Sequence, residues 1–119
     1  MDEVVTVSQR ISDFCLERGI DRRRAYFAGL CMEEMAGNVI KHGFGKDGKN
    51  SIDIRVVHKG DGVILRIRDN CTAFNPAERA GAMEPGETGR NIGIRMVFRI
   101  AADVSYQNLL GLNVLTIRI

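Results

Sequence analysis

Apolar positions recur at helical spacing from the start of the chain. Val4, Val7, Ile11, Phe14 and Cys15 share one face of a helix predicted from about Val4 to Arg18. Gly19 suits a left-handed stop, and Ile20 can fold back on the last turn, as follows such caps. Asp21 is placed to cap a second helix that runs to Gly43. Its stripes through Phe27, Ala28, Cys31, Met35 and Val39, and through Met32, Ala36 and Ile40, predict burial around much of its circumference. Gly37 inside this helix costs about 1 kcal/mol against alanine, so a close backbone approach is expected there.

The period then changes to two. Ser51 to His58 alternates as a strand, Lys59 to Gly62 makes a turn, and Val63 to Asp69 returns as the second arm of a hairpin. Val63, Leu65 and Ile67 share a face, and the same phase puts Asp69 on it at the strand's end. An inward carboxylate needs a partner or donors, because burying it bare is expensive. A plainer reading, in which Asp69 only organises the turn that follows, stands beside this one. Asn70 to Asn91 has little periodicity. Ala77 to Met83 is a candidate short helix within it, and Glu84 to Gly89 is loop; loops of this length are commonly lids or binding loops. A third helix is predicted from about Ile92 to Ala102. Two last strands, about Val104 to Asn108 and Asn113 to Ile119, turn around Gly111.

Composition narrows the classes. At 119 residues the chain is long enough for one domain with a real core and too short for two. A net charge of +2 is too mild for a nucleic-acid binder, although it suits a phosphate-bearing ligand held locally. Arg22, Arg23 and Arg24, without interleaved aromatics, read as a solvated face or a protein contact. No apolar run reaches the length of a membrane span, and no signal peptide opens the chain. Cys15, Cys31 and Cys71 are odd in number and widely spaced. They read as reduced thiols of a cytoplasmic domain, not as a disulfide frame or a zinc site.

The candidate chemistry starts on the second helix. Glu34, Asn38 and His42 recur at steps of four, stacking a carboxylate, an amide and an imidazole on one stripe. A solvated helix face is the ordinary reading of such a set. The segment Gly89-Arg90-Asn91-Ile92-Gly93-Ile94 leads into a helix N-terminus, where backbone amides favour anions. Taken with Asp69-Asn70-Cys71-Thr72-Ala73-Phe74-Asn75-Pro76, these three stretches in this order resemble the GHKL ATP-binding superfamily of gyrase-type ATPases, chaperone ATPases and histidine kinases. Within it the chain looks most like the small anti-sigma factor serine/threonine kinases of bacterial partner-switching systems. Phe74-Asn75-Pro76 and the compact C-terminal hairpin carry that finer likeness, and the resemblance spans nearly the whole chain.

The resemblance implies an α+β two-layer sandwich, with three helices on one face of a mainly antiparallel four-stranded sheet, and ATP under an Asn70–Asn91 lid. Asn38 then matches the magnesium-coordinating asparagine, and Glu34 the acidic residue that serves as general base. Lys41 and His42 would lie along the nucleotide edge, and Asp69 would accept from the adenine amino group. Ala73 and Phe74 would belong to the cofactor-binding set. Arg90, Asn91, Ile92 and Gly93 match the segment that wraps the phosphates, with Arg90 also a candidate for neutralising transferred charge. Cofactors implied are ATP and Mg2+; the partner by analogy is an anti-sigma antagonist or a sigma factor, with no direct nucleic acid and no membrane in this segment.

The chain departs from that pattern at three glycine positions, occupied here by Cys71, Ala73 and Asn91. These keep open a non-catalytic nucleotide-gated interaction module, and beyond it an interaction domain that has lost the nucleotide. Cys71 reads as a small tolerated side chain, since nothing around it suggests a depressed pKa. The family's usual strand before the first helix is also missing. Either the sheet lacks an edge strand or the chain is the C-terminal domain of a longer protein, and an unpaired edge could recruit another chain. The first helix is where a homodimer contact is expected. A histidine kinase catalytic domain is the less favoured branch, because no histidine-bearing dimerisation helix precedes the site.

Overall fold

The computed structural model describes residues 2–43, 50–60, 62–71 and 92–119. Helix α1 spans Asp2–Glu17 and α2 spans Arg22–Gly43. Strands β1 (Ile52–Lys59) and β2 (Gly62–Asp69) follow, then α3 (Ile92–Ile100), β3 (Asp103–Leu109) and β4 (Leu112–Arg118). These are the predicted elements, with boundaries shifted by one or two residues. The loop at 44–49 and the candidate helix Ala77–Met83 lie outside the described residues.

The α1–α2 junction forms as its sequence dictates. Gly19 adopts φ +81°, the N–H of Ile20 bonds the carbonyl of Cys15 at 3.0 Å, and that of Gly19 bonds Leu16 at 3.1 Å. This pair of bonds is the Schellman closure, and Ile20 is buried against the last turn. Asp21 caps α2 by accepting from the N–H of Arg24 at 3.1 Å. The two helices approach closely at Gly29. Ser8 Oγ donates to its carbonyl at 2.7 Å, Ser12 Oγ donates to the carbonyl of Ala25 at 2.9 Å, and a Cβ on Gly29 would stand 2.7 Å from the Ser8 carbonyl oxygen. Gly37, where a close approach was expected, is buried as well.

Among the described strands the sheet is wholly antiparallel, in the order β1-β2-β4-β3. The chain passes from β2 through the segment containing α3 to the far edge and then returns between. Register aligns the alternating side chains into rows across one face: Val56, Leu65, Ile117 and Val104 in one, Ile54, Ile67, Leu115 and Tyr106 in the next. Leu65, Ile67 and Ile117 are fully buried in one cluster with Met32 and Met35 of α2 and Ile94 and Val97 of α3. The opposite face carries Asp53, Arg55, Arg66 and Arg68. Asp53 pairs with Arg55 and Arg68 at 3.4 Å each, exposed pairs that contribute little to stability. The architecture is the expected α+β one of three helices and a four-stranded sheet.

Candidate functional site

The third row across the helix-facing side is polar where the others are apolar. Asp69 on β2 stands opposite Asn113 on β4, and Asn113 opposite Asn108 on β3. Asp69 is 5 % exposed and Asn113 3 %. Groups buried to that degree must be satisfied, and these are. The Asn113 Nδ2 donates to Asp69 Oδ1 at 2.9 Å and to the Cys71 carbonyl at 3.0 Å. Cys71 N–H donates to the same Asp69 Oδ1 at 2.9 Å. On its other side Asn113 Oδ1 accepts from Tyr106 Oη and Asn108 Nδ2, both at 2.7 Å. Asp69 is therefore both paired inward and an organiser of its turn, so the two readings of it are compatible. Both donors use Oδ1, and Oδ2 is taken by neither.

The turn after Asp69 also answers the glycine question at Cys71. Among the described residues the sole non-glycine with positive φ is Leu110, so Cys71 occupies its place without left-handed strain. Its thiol is pushed up to about 11 by burial and then by the charge and hydrogen bond of Asp69. It is a neutral thiol at physiological pH, as a small inert side chain should be. All three cysteines are free and buried. Cys31 on α2 is pushed up to about 12 by burial and by the nearby charge of Glu34. In Cys15 burial raises the pKa while Arg18 opposes it.

On α2, Glu34 and Asn38 lie on one stripe and are half-buried. Asn38 Nδ2 donates back to the Glu34 carbonyl at 2.6 Å. That bond fixes the amide, committing its nitrogen to the helix and leaving Oδ1 as an acceptor. Lys41 follows one turn on and is exposed. His42 lies on the last turn of α2, and Ile92 and Gly93 on the first turn of α3. Ala73, Phe74, Arg90 and Asn91 lie outside the described residues. α2 packs directly on β2 and on α3. The helix stripe and the polar row thus belong to facing layers, though among the described residues no hydrogen bond joins Asp69 to Glu34 or Asn38.

What this donor set can hold is specific. A buried carboxylate with one committed oxygen suits a ligand that donates, such as an amino group. A lone amide oxygen on a helix suits a hard cation that keeps most of its shell as water or ligand oxygens. Among the described residues no group of three or more His, Cys, Asp or Glu side chains could hold a metal by itself. Asn38 Oδ1 could supply one such oxygen to a magnesium ion. The sequence reading missed Asn113, Tyr106 and Asn108. The signal was present: Asn113 is in phase with Leu115 and Ile117, as Asp69 is with Leu65 and Ile67.

Comparison with known proteins agrees with the fold. A family model described as the histidine kinase-like ATPase domain matches residues 1–119. The histidine kinase domain of the Erythrobacter litoralis EL346 blue-light activated histidine kinase is similar in structure, with a TM-score of 0.65 at 14 % identity. The similarity covers 98 % of this chain and 64 % of that one. At this identity the likeness concerns the fold. No curated protein matches in sequence.

Proposed function

This chain belongs to the histidine kinase-like ATPase domain family, and from that premise we propose that it binds ATP with magnesium and acts on a protein partner. The observation that carries the proposal is Asp69: a carboxylate buried on the helix-facing side of the sheet, with Oδ1 committed and Oδ2 used by neither fixed donor. In this reading Oδ2 accepts from the adenine amino group. Asn38 Oδ1 contributes one oxygen to magnesium, whose chemistry when bound is to neutralise and align the phosphates. Lys41 and His42 lie along the nucleotide edge. Ala73 and Phe74 line the base, and Arg90, Asn91, Ile92 and Gly93 wrap the phosphates at the start of α3, where free backbone amides favour anions.

The finer proposal is a serine/threonine kinase of the anti-sigma type, with an anti-sigma antagonist or a sigma factor as partner. Glu34 orients the attacking hydroxyl of that partner and takes its proton, one helical turn from the metal ligand. Support comes from the spacing of Glu34 and Asn38 and from the bond that ties the Asn38 amide to the Glu34 carbonyl. The test is a phosphotransfer assay on a partner protein. Glu34→Ala should lower transfer by about 100-fold or more while leaving ATP affinity within about twofold. An unchanged rate would remove Glu34 from its role. ATP-dependent partner binding with no phosphate transferred by the unmodified protein would instead favour the non-catalytic gated module that the residues at 71, 73 and 91 suggest.

A further inference from the structure

The polar row does more than bury a carboxylate. Asn113 joins two segments 44 residues apart in the chain, and its amide is fully used on both sides. Its nitrogen holds Asp69 Oδ1 and the Cys71 carbonyl at once, at 2.9 and 3.0 Å. Its oxygen is fixed by Tyr106 Oη and Asn108 Nδ2. The amide has no freedom to flip, because its oxygen would then face the Asp69 carboxylate and the Cys71 carbonyl, both of which only accept. Asp69 Oδ1 is therefore held from its own turn by the Cys71 N–H and from β3, through Asn113, across two strand pairings. A carboxylate held in this way offers its other oxygen in one direction.

We infer that Asn113 is a positioning residue for base recognition, fixing Asp69 so that the site selects a purine with an amino group at position 6 over one with a carbonyl there. Tyr106 and Asn108 act through Asn113 and do not touch the base. The inference rests on the reading of Asp69 as the base acceptor, and deepens it. A ligand carbonyl facing the held oxygen meets an acceptor with an acceptor, which leaves a buried polar group unpaired and gives strong discrimination.

The test measures Kd by calorimetry for ATP and for inosine triphosphate, which carries the carbonyl. It uses the unmodified protein, Asp69→Asn, Asn113→Ser and Tyr106→Phe, with circular dichroism to check folding. The unmodified protein should prefer ATP. Asn113→Ser should weaken ATP about tenfold and leave inosine triphosphate unchanged, so that the preference collapses. Tyr106→Phe removes one hydroxyl from a half-buried ring, keeps the fold, and should weaken ATP about threefold while leaving inosine triphosphate unchanged, so that the preference shrinks. Equal weakening of both nucleotides would mean that Asn113 is merely structural and would overturn the inference. A preference for ATP lost in Asp69→Asn but intact in the Asn113 and Tyr106 variants would overturn it while sparing the reading of Asp69. Absence of any preference in the unmodified protein would overturn both.

Discussion

Glu34 and Asn38 show how one polar pair can look ordinary in sequence and become specific in three dimensions. The Asn38 amide is not a free surface group: its nitrogen is bound to the Glu34 carbonyl at 2.6 Å, which leaves its oxygen as the acceptor. Cys31, one turn earlier, feels the Glu34 charge and the loss of water together. Its folded pKa of about 12, with about 11 for Cys71, lies above the ordinary thiol value of 9.0. For such groups the folded state retains protons that the unfolded state loses. Their stabilisation is complete below pH 9 and is lost as pH rises through the folded values. Urea unfolding should therefore show stability falling between about pH 9 and 11, and Cys31→Ala should flatten that slope. A slope that ignores the substitution would contradict the burial argument.

At the scale of elements, two sites carry backbone consequences. Gly29 has no room for a side chain between α1 and α2, since an added Cβ would stand 2.7 Å from the Ser8 carbonyl oxygen and close to Ser12 Oγ. Gly29→Ala should cost about 2 kcal/mol in chemical denaturation, through a forced shift of α1. A neutral result would mean that the helices separate without cost. The β3–β4 hairpin closes on Leu110 and Gly111, both with positive φ, at 54° and 79°. That is the pattern of a tight hairpin turn that prefers asparagine at its first position, while a leucine there is strained and, at 97 % exposure, packs on nothing. Leu110→Asn should raise stability by about 1 kcal/mol, read as a higher melting temperature.

The elements were legible because their signals are local. Period, caps and turn residues placed all three described helices and four strands within two residues. The Schellman stop at Gly19 and the Asp21 cap could be written from the letters alone. The polar row was half legible, for the same reason. Asp69 stood out because a charge in phase with Val63, Leu65 and Ile67 demands explanation, whereas Asn113 in phase with Leu115 and Ile117 was passed over. An amide excites less suspicion than a carboxylate. Its importance lies in register, the pairing of Asp69 with Asn113 and of Asn113 with Asn108, which no local pattern contains. The close approach at Gly29 was missed likewise, because it depends on which face of α1 meets α2. The strand order, with β4 inserted between β2 and β3, is also long-range information.

For the molecule as a whole, the account is that α2 and the polar end of the sheet together form a nucleotide site. Ligand binding to the folded state alone should then raise the melting temperature in proportion to ln(1 + [ATP]/Kd), and only with magnesium present should the full shift be seen. The most direct measurement is a calorimetric titration of the unmodified protein with ATP and magnesium, beside Asp69→Asn and Asn38→Ala. Saturable binding is predicted, weakened about tenfold or more by Asp69→Asn. In Asn38→Ala the affinity should no longer respond to magnesium. No binding to the unmodified protein, or binding indifferent to Asp69→Asn, would contradict the account.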